Sequence, residues 1–333
     1  MVYYIGRFPP PYGGVTVKNN MLFGLIKKSI KLIAIDTNYL RLSKPLNVLR
    51  FFGITFFKNE PFVIGVSGKA QRLLSMYFYY GNRKTMRKSI LVVMGGQFAN
   101  IVAEDKAYQK YISCYKKIYV ETNSMLENLK EVKIDNVSLF PNCRQKPDFE
   151  IKVRENTGRL QCVFFSMIYP EKGVELVLNA AKRLPLVDFS FWGDVRKDYK
   201  ENFQKAINSL KNCTYYGIFK SNGNNVYELL NQYDLLLFPT FYKNEGVPGI
   251  LVEAKFAALP AIVSNFAYNA ELVRNDEEGV VMQENTADML VHEILKLDND
   301  RTRLKRYKER TLRFSEKFII DNYIDDIERE LDR

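Results

Sequence analysis

Two glutamates, Glu245 and Glu253, stand with seven residues between them in "NEGVPGILVEA" (Asn244–Ala254). The stretch follows a strand-length apolar run, "DLLLFPT" (Asp234–Thr240), and leads into "LPAIVSN". A carboxylate in such apolar company needs a partner or a ligand, because an unpaired buried charge is very costly. Pro248 suits the first position of a helix, where its missing N–H has no intrahelical partner. The helix would run through "GILVEAKFAA", with Glu245 in the loop ahead of it and Glu253 about one turn inside. A helix start offers free N–H groups and the positive end of the helix dipole, so it attracts anions. An acid beside a phosphate-holding helix can also accept hydrogen bonds from ribose hydroxyls. The plain alternative is a loop charge at Glu245 and a half-exposed one at Glu253.

Two other stretches join a strand to a helix. In "PPPYGGV" (Pro9–Val15), Gly13 and Gly14 let a backbone approach a ligand closely ahead of a helix N-terminus. In "SMIYPEKGVELVLNAAKRL" (Ser166–Leu184), Lys172 and Gly173 precede a helix, where a lysine can meet phosphate as a point charge. An ordinary turn and a solvated lysine are the competing readings. A fourth stretch, Gly68–Ser89, mixes Lys69, Arg72, Arg83, Lys84, Arg87 and Lys88 with Tyr77, Phe78, Tyr79 and Tyr80. Phe51, Phe52, Phe56 and Phe57 lie just upstream. Basic side chains among aromatics fit an interfacial membrane patch; a partly buried helix with a solvated basic face is the alternative. No nucleic-acid-binding motif accompanies the charge, so nucleic acid is not expected as a partner.

Other chemistries are poorly supplied. The single histidine, His292, falls in the helix-spaced segment "TADMLVHEILKL" and reads as a helix-surface residue. A Ser-His-Asp triad or a histidine-rich metal site is therefore not expected, and no metal ligand is assigned. The four cysteines (Cys114, Cys143, Cys162, Cys213) form no C-x-x-C pair and read as small buried hydrophobes. The net charge is +11, and residues 1–100 hold 15 Lys/Arg against only Asp36 and Glu60. Residues 151–333 hold 26 basic and 28 acidic side chains, so the excess lies at the front of the chain. Such asymmetry points to an anionic partner.

These residues need a scaffold. Twelve apolar runs of strand length alternate with helix-spaced segments through the 333 residues: "VYYIG", "KLIAID", "FVIGVS", "SILVVM", "KKIYVET" and "NVSLF", then "LQCVFFS", "VDFSFWG", "CTYYG", "YDLLLFPT", "PAIVSN" and "GVVM". Helices are expected at Val15–Lys28, Lys69–Tyr80, Ala99–Lys110, Ser124–Glu131, Gly173–Leu184, Glu201–Leu210, Val226–Gln232, from about Pro248, and at Thr286–Lys296. This alternation implies βαβ units and parallel sheets with right-handed crossovers. A polar linker with Pro147 and Gly158 divides the chain, predicting an N-terminal domain over 1–148 and a second over 149–312. The closing segment 313–333 reads as a helix with an apolar stripe of Phe318, Ile319, Tyr323, Ile324, Ile327 and Leu331, so it packs on something. No run of 18 apolar residues suggests a membrane span, and the first residues lack a signal-peptide layout.

"PPPYGGV", "PN" (Pro141–Asn142), "EKGV", "FPTFYKNEGVPGILVEAKFAALPAIVSN" and "AELV", in that order, resemble the family 4 retaining glycosyltransferases of bacterial polysaccharide synthesis. The resemblance implies the α/β GT-B fold, two Rossmann-like doubly wound parallel-sheet domains facing across a cleft, with the last helix crossing back to the first domain. It implies transfer of a sugar from a nucleotide-sugar donor to a lipid-linked oligosaccharide for capsule, O-antigen or exopolysaccharide. No cofactor or metal is expected. Gly13 and Gly14 would present backbone to the donor diphosphate and Lys172 would neutralise it on departure. Glu245 would lie at the sugar and Glu253 on the ribose. Gly246, Val247, Pro248, Gly249 and Ile250 would face phosphate or sugar, and Glu271 the nucleoside side. The chain departs from the family twice. Ser166-Met167 stands where Gly-Arg is usual, with Arg7 or Arg144 as candidate replacements for the charge. A first-domain histidine is replaced by "VMGGQFAN" (Val93–Asn100), where Gln97 or the glycine backbone would contact the sugar. The basic patch would dock on an anionic membrane, placing a cytoplasmic protein peripherally on the inner face of the plasma membrane. A nucleotide-sugar epimerase, or a non-catalytic sugar- or lipid-binding partner, are the alternatives on the same scaffold.

Overall fold

The computed structural model describes residues 1–10, 13–40, 45–220 and 225–332. All twelve apolar runs form strands. β1 (Val2–Gly6), β2 (Leu32–Asp36), β3 (Phe62–Gly65), β4 (Ile90–Val92), β5 (Lys117–Val120) and β6 (Val137–Leu139) make one sheet. β7 (Gln161–Phe165), β8 (Asp188–Trp192), β9 (Cys213–Gly217), β10 (Leu235–Phe238), β11 (Ala261–Ser264) and β12 (Gly279–Met282) make the other. Every named pairing is parallel. Parallel strands carry helices on both faces, which is why these runs are apolar throughout instead of alternating.

The chain divides into two compact units, 1–143 with 320–333, and 144–319. In the first unit the strands run β2-β1-β3-β4-β5-β6. This is the flavodoxin-like order, which reverses between β1 and β3. In the second they run β12-β11-β10-β7-β8-β9, the dinucleotide-fold order, which reverses between β7 and β10. Ligands of doubly wound sheets bind beyond the carboxyl strand ends at such reversals, so topology alone marks two places to inspect.

Each unit has its own core. In the first, Val2, Tyr4, Leu22, Ile26, Val63, Ile90, Val92 and Phe140 pack with Ile320, Ile327 and Leu331 of the closing segment. The closing helix is Asp321–Asp332. It is held to its unit also by Tyr119 Oη donating to Asp326 Oδ2 at 2.8 Å. Phe318 and Ile319, the start of the expected stripe, pack instead in the second unit. In that unit, clusters around Phe164, Phe189, Phe191 and Leu237, and around Leu236, Val252, Phe256 and Val263, cover the sheet.

Two helix expectations need correction, and one helix was not expected. Ala99–Lys110 is two helices, Phe98–Glu104 and Lys106–Ile112, because Asp105 interrupts and its Oδ1 caps the second by accepting from Tyr108 N at 2.9 Å. The helix after β10 is Gly249–Phe256, one residue later than expected, with Pro248 outside it at ψ 118°. It also stops short of Ala257–Ala258, because Ala258 takes the left-handed conformation (φ 52°) and Leu259 N bonds Ala254 O at 2.9 Å, a Schellman closure. Finally, a helix unforeseen in the sequence, Pro45–Phe57, buries only Thr55.

Candidate donor site at the β7/β10 reversal

The loops leaving β7 and β10 are tied together, Phe241 N donating to Glu171 O at 2.9 Å. Gly173 explains the Lys-Gly pair. Its φ is +80°, and a Cβ there would lie 2.1 Å from Pro239 O, so only glycine fits against the end of β10. That fit carries Lys172 to Glu245. The ammonium Nζ lies 2.6 Å from Glu245 Oε2, with both residues buried. Thr240 Oγ1 donates to the same oxygen at 2.8 Å, and Lys172 Nζ sits 5.0 Å from the Tyr242 ring centroid. Behind Thr240, Ser264 Oγ donates to Thr240 O at 2.5 Å and Asn269 Nδ2 donates to Ser264 Oγ at 3.3 Å. Burial holds the neighbouring Tyr169 hydroxyl protonated, its pKa raised to about 12. Among the described residues Lys172 has Glu245 as its one hydrogen-bonding acceptor, so an ammonium with three donors keeps capacity for another anion.

The Gly249–Phe256 helix follows Val247 and Pro248, both buried, with Gly246, Gly249 and Ile250 partly exposed. Glu253 projects from its second turn to Arg144, whose Nε donates to Glu253 Oε1 at 3.0 Å. Arg144 N in turn bonds Phe318 O at 2.8 Å. Arg144 is thus engaged with Glu253. Burial first, and then the Glu253 carboxylate, raise the Tyr227 hydroxyl to about 12. Glu271 lies exposed on the short helix Asn269–Leu272 after β11. Met167 is 52% exposed in the loop after β7, so a long cationic side chain would fit there sterically. Thr240, Tyr242 and Ser264 complete the site without having been singled out. Their common signal was only that each lies at the carboxyl end of β10 or β11.

The first unit has its own cavity at the β1/β3 reversal. It measures about 330 Å³ and is lined by Arg7, Gly13, Gly14, Thr16, Thr37, Gly65 and Ser67, among others. A Cβ on Gly13 or Gly14 would meet no described atom within 4 Å, and neither needs a left-handed backbone. Their glycine character therefore answers to something other than the packing of the described residues. Gln97 is exposed at the start of the helix Phe98–Glu104 after β4.

The basic stretch is rearranged. Lys69, Arg83, Lys84, Arg87 and Lys88 are exposed, with Arg83 stacked on Tyr79 at 3.8 Å. Arg72 is half-buried; its Nε donates to Asp105 Oδ2 at 2.7 Å, and that carboxylate raises its pKa further, so it stays cationic. Phe78 is buried, whereas Leu46, Leu49, Phe52, Phe56 and Phe57 are exposed along one helix. Among the described residues no helix is long and apolar enough to cross a membrane.

Two six-stranded parallel sheets with these orders define the GT-B class of fold. The chain matches the family model of glycosyl transferases group 1 over residues 145–314, and it belongs to that family. It is 28% identical over 198 residues to the Escherichia coli UDP-Gal:alpha-D-GlcNAc-diphosphoundecaprenol alpha-1,3-galactosyltransferase, covering 56% of this chain and 49% of that protein. It is 28% identical over 204 residues to the Escherichia coli O-antigen biosynthesis glycosyltransferase WbnH, covering 60% and 53%. The chain thus spans about half the length of the curated relatives it matches. Anabaena Alr3699/HepE, solved in complex with UDP and glucose, superposes with a TM-score of 0.71 at 12% identity, over 99% of each chain.

Proposed function

We propose that this protein is a retaining, metal-independent glycosyltransferase of the family 4 type, moving a sugar from a nucleotide sugar to a lipid-linked glycan at an anionic membrane surface. The observation that carries the reading is the buried Lys172–Glu245 pair at the β7/β10 reversal, beside a helix start. Glycosyl transfer requires that a departing nucleoside diphosphate be stabilised. Lys172 and the amides at Gly249 and Ile250 supply positive charge where that diphosphate would leave, with no metal called for. Glu253 takes the ribose hydroxyls, exchanging part of its bond to Arg144 for them. Glu245 holds the lysine in place and faces the sugar. In the transfer the bond from the anomeric carbon to the diphosphate oxygen breaks, and the acceptor oxygen bonds to that carbon from the same face. The acceptor's hydroxyl proton passes to the departing phosphate oxygen, so charge balances without a protein nucleophile.

UDP in the HepE complex and the UDP-Gal donor and diphosphoundecaprenol acceptor named for the galactosyltransferase support a nucleoside-diphosphate-sugar donor and a polyprenyl-diphosphate glycan acceptor here. The exposed stripe of the Pro45–Phe57 helix, with basic residues 83–88 nearby in sequence, supports peripheral docking on the inner face of the plasma membrane, in O-antigen, capsule or exopolysaccharide synthesis. A thermal-shift screen of nucleoside diphosphates and their sugars tests the donor site, since a ligand at a hundredfold its Kd adds about 2.7 kcal/mol. One nucleotide class should stabilise the protein, and Glu253→Ala should abolish the shift. No shift with any nucleotide would overturn the reading.

A further inference from the structure

A side chain used by none of the chemistry above lies beneath the cavity of the first unit. Asn19, on the helix Gly14–Ser29, is completely buried. Its Nδ2 donates to Arg7 O at 3.0 Å and to Gly65 O at 2.9 Å, while its Oδ1 accepts from Tyr4 Oη at 2.8 Å. Both amide hydrogens and the oxygen are therefore used. The Gly65 carbonyl ends β3 and the Arg7 carbonyl follows directly on β1, just past the point where Gly6 and Gly65 are paired neighbours. Beyond that pair the two chains part in the direction reversal of the sheet, and their last carbonyls lose the ladder partners a continuing strand would give. Asn19 replaces those partners.

Two glycines make room for it. A Cβ at Gly65 would lie 2.1 Å from Asn19 Oδ1, and one at Gly6 would lie 2.9 Å from Asn19 Cγ. The endings "VYYIG" and "FVIG" are thus a pair of seats for one amide. The residues that follow these seats, Arg7 after β1 and Val66 and Ser67 after β3, line the cavity together with Gly13 and Gly14. Asn19 also sits just over one turn into the helix that starts at Gly14.

We propose that Asn19 is a positioning residue: by bracing the β1 and β3 ends it sets the separation of Arg7, Ser67 and the Gly13-Gly14 loop, and so the fit of a substrate diphosphate in the cavity. The inference rests on the reading that this loop meets a substrate phosphate. The diphosphate is that of the nucleotide sugar or that of the lipid-linked acceptor, and the two are separated by which KM moves.

The test uses the full chain and initial rates with each substrate varied in turn. Asn19→Leu removes all three bonds; because it can fail to fold, Asn19→Ser, which leaves space for water, is measured beside it. Tyr4→Phe is the control: it removes the bond on the oxygen side and leaves both carbonyl braces intact. One KM should rise about tenfold in the Asn19 variants, the equivalent of a 1.4 kcal/mol loss of fit, with kcat changing less. Tyr4→Phe should lower the melting temperature but keep both KM values. Folded Asn19 variants with both KM values unchanged, or Tyr4→Phe moving the same KM equally, would overturn the positioning role. Gly14→Leu tells the two failures apart. If it too leaves both KM values alone, the loop reading fails; if it raises a KM while Asn19→Ser does not, only the brace fails.

Discussion

Removing the charge at Lys172 should cost stability and turnover by separable routes. The ammonium and the Glu245 carboxylate are 2.6 Å apart in a buried site. Their gross attraction is about 6 kcal/mol at an effective dielectric near 20. Desolvation of both charges offsets much of that, but deleting one partner strands the other and costs roughly 3–5 kcal/mol. Lys172→Met and Glu245→Gln should each lower stability by about 3 kcal/mol, the second somewhat less because an amide still accepts from Thr240. The double variant should lose little more than either single one, giving a coupling of about 2 kcal/mol in urea unfolding. Turnover behaves differently. If Lys172 stabilises the leaving diphosphate, kcat falls roughly 10²–10³-fold in Lys172→Met, and the double variant, despite its relieved strain, stays equally slow. Additive stability effects would refute the ion pair. Near-normal kcat in Lys172→Met would refute its catalytic role.

Gly173→Ala should be among the most destabilising single changes, because the new Cβ meets Pro239 O in a left-handed backbone; a loss above about 3 kcal/mol is expected in urea unfolding, and a change under 1 would contradict the packing. Replacing Leu49, Phe56 and Phe57 by serine should leave unfolding within about 0.5 kcal/mol per site, since all three are exposed, yet reduce flotation with anionic vesicles at least about tenfold. Unchanged flotation would count against docking through this helix. Alkali should destabilise the fold. Burial raises Tyr199 and Tyr227 from 10.0 to about 12 and Cys213 from 9.0 to about 12, so above pH 9 the unfolded chain releases protons that the fold retains. This contribution is fully present below pH 9 and is lost as pH climbs towards 12; a urea midpoint that does not fall between pH 8.5 and 11 would contradict it.

All twelve strands were legible because a strand buried on both faces must be an apolar run, and the carboxyl-end loops then located Lys172, Glu245 and the glycine pair. What escaped the sequence is what depends on distance along it. Lys172 and Glu245 are 73 residues apart, and Arg144 and Glu253 are 109 apart, so neither pairing leaves a local trace. The Pro45–Phe57 helix escaped because its apolar residues face outward, where periodicity carries no core to predict. Asp105 was hidden for a local reason: a capping aspartate inside an apolar-periodic stretch looks like one polar position of a longer helix. Nothing in the sequence singles out Asn19, because asparagine is usually exposed and its carbonyl partners lie in other segments.

The most direct measurement is product analysis of a nucleotide sugar incubated with the protein, with and without a polyprenyl-diphosphate glycan, in the presence of a chelator. The account predicts that sugar moves to the lipid only when acceptor is present, that the anomeric configuration of the donor is kept, and that the chelator changes nothing. Conversion of the nucleotide sugar alone into its epimer, or an inverted linkage, would contradict it.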